Sequence, residues 1–192
     1  VALVGGSGFT FANELDRASD GRRLMGSAIK PFVFATAFEL GKAKPGDKWL
    51  DAPISFNLPG GRKWKPHNYG NKHFGEVTLE FALWKSLNSI AIKLLQSLDM
   101  DEVIDRLVVA TGIPKDRWPR NLSLALGTAD LSPLQMAQAY AVFANGGRAV
   151  QPARDALPAF GGEHDQIGRV LVEEMKNAAD GRLRRQLDLG DL

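Results

Sequence analysis

Ser27 and Lys30 stand three residues apart in the segment Gly-Ser-Ala-Ile-Lys-Pro-Phe, which covers residues 26–32. Residues i and i+3 of a helix lie on the same face, so this spacing places a serine hydroxyl beside a lysine amine. A neutral amine at Lys30 can reach back and take the proton of Ser27, which makes the serine a nucleophile for covalent acyl transfer. The chain has nine Ser and eleven Lys. About half of one Ser-x-x-Lys tetrad is therefore expected by chance, and the tetrad alone proves nothing.

Pro31 indicates where the helix that carries this tetrad begins. Proline is tolerated in the first turn of a helix and breaks it deeper inside. The helix is therefore predicted to start close to Ser27, with the hydroxyl at the positive end of the helix dipole. For Lys30 to act as a base, its pKa must fall from about 10.4 toward 7, which costs about 4 kcal/mol. Burial and the helix N-terminus both lower the pKa, because both disfavour an ammonium.

Serine acyl transfer also needs a group that relays the proton to the leaving amine, a group that orients the substrate amide, and an oxyanion hole. A Ser-x-Asn triplet supplies a hydroxyl together with an amide that both donates and accepts. Two triplets occur, at residues 55–57 and 86–88, and about 0.4 is expected by chance. We favour Ser86 and Asn88, because they lie between two predicted helices. Ser55 lies in an irregular segment, where a strand or turn role is expected.

The remaining pattern predicts a mostly helical chain with very few strands. Residues 41–75 are rich in Pro and Gly and predict a long irregular segment with short strands at most; loops of this length tend to be functional. The chain is predicted to open with a strand over Val1–Val4 and a turn over Gly5–Gly8. A first helix is predicted from Thr78 to about Lys85, and a second begins after Ser86-Leu87-Asn88. Three more helices are predicted: over Asp101–Ala110, from Ser132 to a stop at Asn145-Gly146-Gly147, and over about Gln166–Ala178. Ser132, Pro133 and Gln135 together predict a capping box.

Composition narrows the class of protein. The 192 residues are long enough for one domain, and the apolar and charged fractions, 44% and 24%, are ordinary globular values. A net charge of +2 does not argue for a nucleic-acid partner, and the absence of Cys excludes thiolate metal sites. No apolar run approaches the roughly 18 residues of a membrane helix. A signal peptide is not expected over Val1–Gly6, because these residues lack a basic n-region. The chain opens without Met in a predicted strand, so we expect it to be a piece of a longer protein.

A longer series of residues matches one known family in order. The matches are Val4-Gly5-Gly6, Arg22-Arg23, Gly26-Ser27, Lys30-Pro31-Phe32, Asp51-Ala52-Pro53, Trp64-Lys65-Pro66-His67-Asn68-Tyr69, Gly75-Glu76-Val77-Thr78-Leu79, Ala82-Leu83, Ser86-Leu87-Asn88, Leu124-Ala125-Leu126-Gly127, Ser132-Pro133-Leu134 and Ala139-Tyr140 to Asn145-Gly146-Gly147. Over about residues 1–152 the chain resembles the transpeptidase domain of penicillin-binding proteins, most closely the bifunctional class that polymerises and cross-links peptidoglycan.

The resemblance implies a reaction and a role for each residue. Ser27 would attack the penultimate D-Ala carbonyl of a peptidoglycan stem peptide and form an acyl-enzyme, which an amine from a neighbouring strand resolves. Beta-lactam antibiotics would acylate the same serine. Lys30 would be the base, Ser86 the proton relay, and Asn88 the group that holds Lys30 and the substrate amide. The cleft would be lined by Trp64, Asn68 and Tyr69. No cofactor is implied.

The resemblance also implies a fold and a location. The fold is α+β, and residues 1–192 would be a partial transpeptidase domain: the helical lobe of the serine beta-lactamase and penicillin-binding transpeptidase fold, with most of its antiparallel sheet missing from this chain. The parent protein would be anchored in the bacterial cytoplasmic membrane with this domain on the periplasmic side, where other cell-wall synthesis proteins are possible partners.

One motif of the family is absent. No Lys-Thr-Gly occurs in the 192 residues. In the family, its strand binds the substrate carboxylate and helps to form the oxyanion hole. Removing one oxyanion donor costs roughly 2.7–4 kcal/mol in other enzymes, so we expect these 192 residues to turn over peptide poorly or not at all.

Two other functions remain open from the residues. One is a D,D-carboxypeptidase or beta-lactamase, in which water replaces the acceptor amine. Another is a penicillin-recognising sensor or degenerate homologue that binds muropeptide without turnover. A zinc site at His67 and His73 is not expected, because no carboxylate pair lies near them in sequence.

Overall fold

The computed structural model describes residues 4–6, 8, 11 and 14–149, which form an α+β arrangement of helices with three small sheets. The α-helices are α1 (Lys30–Glu39), α2 (Leu79–Trp84), α3 (Asn88–Gln96), α4 (Met100–Thr111) and α5 (Pro133–Ala144). The strands are β1 (Arg23–Leu24), β2 (Lys48–Asp51), β3 (Phe56–Asn57), β4 (Lys63–Trp64), β5 (Gly75–Thr78) and β6 (Asp130–Leu131). Short 3-10 turns cover Gly26–Ile29, Pro59–Gly61, Tyr69–Asn71, Lys115–Arg117 and Leu122–Leu126.

Helix α1 is the centre of the core. Its sequence is apolar around nearly the whole circumference, which is typical of a helix buried on all sides. It packs against α3 and α4. The Phe32 ring lies 5.4 Å from that of Tyr140 and 4.9 Å from that of Phe143, both on α5. The helix that carries Lys30 is therefore held by packing on several sides.

The sheets are antiparallel pairs, β1 with β6, β2 with β5 and β3 with β4. In the largest pair, Lys48 lies opposite Thr78 and Asp51 opposite Gly75. This pairing brings together the two ends of the irregular segment, which contains only short strands and 3-10 turns, as predicted. Strand β5 leads directly into α2, so the segment and the helices that follow it are joined.

Local helix signals are confirmed by the structure. Pro31 lies in the first turn of α1, which continues from the 3-10 turn that contains Ser27. The Thr78 hydroxyl accepts a hydrogen bond from the Phe81 N–H, and both bonds of the Ser132–Gln135 capping box form. Helix α4 ends at Gly112, which has a φ of 69°.

Some predictions fall outside the described part of the chain. These are the helix over Gln166–Ala178 and most of the strand over Val1–Val4; Val4 itself is described and is not in a strand. Within the described residues, no helix combines the length and apolar character needed to cross a bilayer.

Candidate functional site

Ser27 lies exposed in the 3-10 turn that precedes α1. Three hydrogen bonds to distant parts of the chain hold this turn. The Gly26 N–H donates to the Gly127 carbonyl at 3.1 Å, and the Met25 N–H donates to the Ala129 carbonyl at 2.9 Å. The Tyr140 hydroxyl donates to the Ala28 carbonyl at 2.8 Å. The backbone on both sides of Ser27 is therefore fixed, while its hydroxyl faces solvent.

The Lys30 amine is buried, with 1% of the residue exposed. Its Nζ donates to the Ser86 carbonyl at 2.6 Å, to the Ser86 hydroxyl at 2.9 Å and to Asn88 Oδ1 at 2.6 Å. The structure thus brings Lys30 together with both residues of the triplet that we favoured. Among the described hydrogen bonds, none joins Lys30 to Ser27.

The charge of Lys30 decides how many N–H groups its amine can donate to these acceptors. A carbonyl oxygen can only accept, so Ser86 O must receive an N–H. Asn88 Oδ1 also accepts, because the Nδ2 of the same amide donates to the His67 carbonyl at 2.8 Å, which fixes the orientation of the amide. A neutral amine has two N–H groups and one lone pair. When Lys30 is neutral, its lone pair is thus left for a hydroxyl, that of Ser86 or of Ser27.

Burial lowers the pKa of Lys30 to about 8. An ammonium in this position has lost the water that would stabilise it, and the surrounding groups are neutral dipoles rather than carboxylates. At pH 7 about a tenth of the Lys30 amine is neutral. The group is therefore poised to accept a proton near neutral pH, as a general base requires.

Ser86 adopts an unusual backbone conformation between α2 and α3. Its φ is 55°, in the left-handed region, which costs a non-glycine residue on the order of 1 kcal/mol. The turn is held by hydrogen bonds from the Ser86 N–H to Leu83 O and from the Leu87 N–H to Ala82 O. In this conformation both the carbonyl and the hydroxyl of Ser86 reach the Lys30 amine.

A cleft of about 600 Å³ opens over these groups. Its lining residues are Ser27, Trp64, Lys65, Pro66, His67, Asn68, Tyr69, Gly70, Lys85, Ser86, Asn88 and Leu126. The cleft therefore contains Ser27, Ser86 and Asn88 together with the three residues predicted to line it. Tyr69 is 99% exposed, and Trp64 packs on Phe56 with ring centroids 5.4 Å apart. Asn68 differs from these two, because only 2% of it is exposed and its side chain bonds inward.

The second Ser-x-Asn triplet lies away from this arrangement. Ser55 and Asn57 are exposed, and Asn57 is in the β3–β4 hairpin opposite Lys63. The described hydrogen bonds of Lys30 involve neither residue.

Sequence reasoning missed several residues that hold the site. Gly127 approaches Gly26 so closely that a Cβ on Gly127 would lie 2.1 Å from the Gly26 oxygen. Tyr140 donates to the Ala28 carbonyl beside Ser27. Asp51 accepts from the Asn68 amide in the cleft and from the Ser89 hydroxyl at the start of α3. Asp51, Gly127 and Tyr140 lie within the matched motifs, but nothing local predicts their partners, which are distant in sequence.

The sequence model of the family described as "Penicillin binding protein transpeptidase domain" matches residues 5–154. The Penicillin-binding protein 1A of Pseudomonas aeruginosa is 40% identical over 152 residues, which are 79% of this chain and 18% of that protein. The protein of the same name from Haemophilus influenzae is 37% identical over 154 residues, 79% of this chain and 17% of its own length. The chain thus spans less than a fifth of these relatives.

Solved structures agree with this match. The crystal structure of Penicillin-Binding Protein 1A from Haemophilus influenzae superposes with a TM-score of 0.67 at 37% identity, covering 73% of this chain and 21% of that one. The apo transpeptidase domain of penicillin-binding protein 3 from Burkholderia pseudomallei has a TM-score of 0.60 at 21% identity, covering 80% and 52%, and supports the fold alone.

Proposed function

Because this chain belongs to the family of penicillin-binding protein transpeptidase domains, we propose that it performs the acylation step of a peptidoglycan D,D-transpeptidase, with Ser27 as nucleophile. One observation carries the proposal: a buried lysine amine with a lowered pKa is held by Ser86 and Asn88, and these two residues line the same cleft as the exposed Ser27. A base, a hydroxyl relay and an orienting amide are the groups that serine acyl transfer requires.

In the proposed acylation, Ser27 Oγ attacks the penultimate D-Ala carbonyl of a stem peptide, and Lys30 Nζ takes the hydroxyl proton. The bond between Oγ and the carbonyl carbon forms, and the amide bond to the terminal D-Ala breaks. The Ser86 hydroxyl passes the proton to the leaving amine, and Asn88 keeps Lys30 in place. A second amine then forms the cross-link, and the proton it loses returns to Ser27. A beta-lactam follows the first half of this path and stops at the acyl-enzyme.

The substrate surroundings are part of the proposal. Trp64 and Tyr69 offer aromatic surface at the cleft, and we assign them contacts with the stem peptide. We place the parent protein at the extracytoplasmic face of the bacterial cytoplasmic membrane, where such peptides occur, and treat residues 1–192 as a partial transpeptidase domain. The comparisons do not favour a carboxypeptidase, a beta-lactamase or a sensor without turnover.

Labelling with a fluorescent penicillin tests the assignment of Ser27. Because the 192 residues contain no Lys-Thr-Gly, we expect labelling that is slow and reaches completion only over hours at high penicillin concentration. Mass spectrometry should place the adduct on Ser27, and Ser27→Ala should abolish it, while Ser55→Ala, a change of another exposed serine, should leave it unaltered. A chimera in which the C-terminal part of the Pseudomonas aeruginosa relative follows residue 154 should label much faster. An adduct elsewhere, or labelling of Ser27→Ala, contradicts the proposal.

A further inference from the structure

Asp51 is a buried carboxylate at the end of β2, and its side chain is fully shielded from solvent. It accepts hydrogen bonds from Asn68 Nδ2 at 2.8 and 3.1 Å, from the Phe74 N–H at 2.9 Å and from the Ser89 hydroxyl. His73 Nδ1 lies 3.2 Å from the same carboxylate. A buried charge is tolerated only when it is paired or hydrogen-bonded, and these donors meet that need.

The electrostatics of this carboxylate favour the charged form. Burial acts to raise the pKa of Asp51, but the hydrogen bonds from Ser89, Asn68, Phe74 and His73 outweigh it and hold the pKa below its usual range. At neutral pH an ionised Asp51 is therefore a strong acceptor for the amide of Asn68.

The Asn68 amide connects this carboxylate to the start of α3. Its Nδ2 also donates to the Lys72 carbonyl at 3.0 Å, while its Oδ1 accepts from the Asn88 N–H at 2.7 Å and from the Ser89 N–H at 3.2 Å. The first N–H groups of a helix have no partner within the helix. Leu87, which precedes α3, provides no side-chain cap. Asn68 thus caps α3 from a loop about twenty residues away.

The same loop also holds the side chain of Asn88. The His67 carbonyl accepts from Asn88 Nδ2 at 2.8 Å, and the other atom of that amide, Oδ1, accepts from Lys30 at 2.6 Å. Neighbouring residues 67 and 68 therefore fix both the backbone and the amide of Asn88. A continuous series of hydrogen bonds leads from Asp51 through Asn68 and Asn88 to the Lys30 amine.

We propose that Asn68 is a positioning residue for acylation, which uses the buried Asp51 as its anchor and holds Asn88 against Lys30. The inference rests on the proposed function of Lys30 as base. The Asn68 side chain is buried, and its amide donates to Asp51 and Lys72 and accepts from the N–H groups of Asn88 and Ser89, so it acts through Asn88 rather than on the substrate. This assignment replaces the substrate-binding role that we predicted for Asn68 from sequence.

The test compares Asn68→Ala with Asn57→Ala, the same substitution at an exposed position of the same irregular segment. Two quantities are measured in the 192-residue chain. The first is the rate of Ser27 labelling by fluorescent penicillin. The second is the titration of Lys30, followed by ¹³C NMR of labelled lysine Cε and assigned by the signal lost in Lys30→Arg.

We expect Asn68→Ala to slow labelling about tenfold to a hundredfold, as a displacement of about 1 Å does. Water entering beside a released Asn88 should raise the Lys30 pKa. Asn57→Ala should change neither quantity.

Asp51→Asn is a second variant for the case that Asn68→Ala does not fold. It keeps the shape of the anchor and removes its charge, so it should shift both quantities in the same direction by a smaller amount. An unchanged Lys30 titration in the folded variants overturns the proposal, even where labelling slows. A shifted titration with labelling within threefold of the unaltered chain also overturns it. Failure of the proposed function looks different, because the unaltered chain then shows no labelling of Ser27 at all.

Discussion

At the residue scale, the site depends on how the Lys30 amine distributes its two or three N–H groups. Two of its acceptors, Ser86 O and Asn88 Oδ1, cannot donate, so they take the N–H groups of the neutral amine. The lone pair is left for a hydroxyl, and a neutral amine is available because burial lowers the pKa of Lys30 to about 8. Burial, rather than a neighbouring charge, thus lowers the pKa of the proposed base.

The pH dependence of Ser27 acylation should report this pKa. The neutral form of Lys30 predominates above its pKa, so the rate should rise about tenfold per pH unit below about 8 and level off above it. The measurement is the second-order rate of penicillin labelling between pH 6 and 10. Lys30→Arg should remove the rise, since a guanidinium stays protonated. A rate that is constant over this range contradicts the role of Lys30 as base.

Replacing Asn88 by Asp should move the same profile to higher pH. The new carboxylate would lie against the Lys30 amine, and an opposite charge at this distance favours the ammonium and raises the pKa by about 1–3 units. Labelling at pH 7 should therefore fall about tenfold or more and recover in part at alkaline pH. Asn57→Asp, an equal change in charge at an exposed strand position, is the matched control. Equal profiles for the two variants would refute the contact.

At the scale of the elements, the 3-10 turn around Ser27 depends on a close approach between two backbone segments. Gly26 and Gly127 both have positive φ, 56° and 72°, and a hydrogen bond of 3.1 Å joins them. The Tyr140 hydroxyl on α5 donates to the carbonyl of Ala28, the residue after Ser27. Ser27, the proposed nucleophile, is therefore positioned by the 3-10 turn at Leu122–Leu126 and by α5 as much as by its own helix.

Gly127→Ala should disturb this contact. Its Cβ would lie 2.1 Å from the backbone oxygen of Gly26, so the turn must move, and the positive φ adds a cost of about 1 kcal/mol. We expect a loss of unfolding free energy well above 1 kcal/mol in urea, together with slower labelling of Ser27. Gly112→Ala has a similar φ of 69° with no atom near its Cβ, and should show the conformational cost alone. The idea fails if both variants label Ser27 at the unaltered rate.

At the scale of the whole molecule, the site is assembled where three parts of the chain meet. These are the start of α1, the loop at residues 64–70 and the turn before α3, and the core around α1 keeps them in place. Lys30 is the buried amine at this junction, whereas Lys65 and Lys85 line the open cleft. The burial of Lys30 therefore links the reactivity of the site to the stability of the fold.

Lys30 should make the stability of the chain depend on alkaline pH. The pKa of Lys30 is about 8 in the folded state, and its ordinary value of 10.5 applies in the unfolded state. Between pH 8 and pH 10.5 the unfolded state therefore binds more protons than the folded state. The free energy of unfolding should rise with pH over this window by up to about 3 kcal/mol. Lys30→Met removes the titrating group, and the difference between the two chains in urea unfolding at pH 7, 8, 9 and 10 isolates the contribution. A difference that does not vary with pH would contradict the burial of a charged Lys30.

The helices and the candidate site residues followed from short stretches of sequence. Pro31 indicated the start of α1, and Thr78 and Ser132 indicated the caps of α2 and α5, because a cap forms with a backbone N–H only three residues away. The Ser-x-x-Lys and Ser-x-Asn spacings, with their helical setting, were enough to select Ser27, Lys30, Ser86 and Asn88. These signals are local, so sequence alone contains them.

The tertiary structure decided how those groups are held. Lys30 turns to Ser86 and Asn88, 56 and 58 residues away, rather than to Ser27 three residues away. Asn68 bonds inward to Asp51 and α3, although the family resemblance implied that it lines the cleft for substrate. Such contacts join segments whose approach depends on the packing of the whole core around α1. A buried polar group must find its partner among whatever the fold brings near it, and no local pattern specifies that partner.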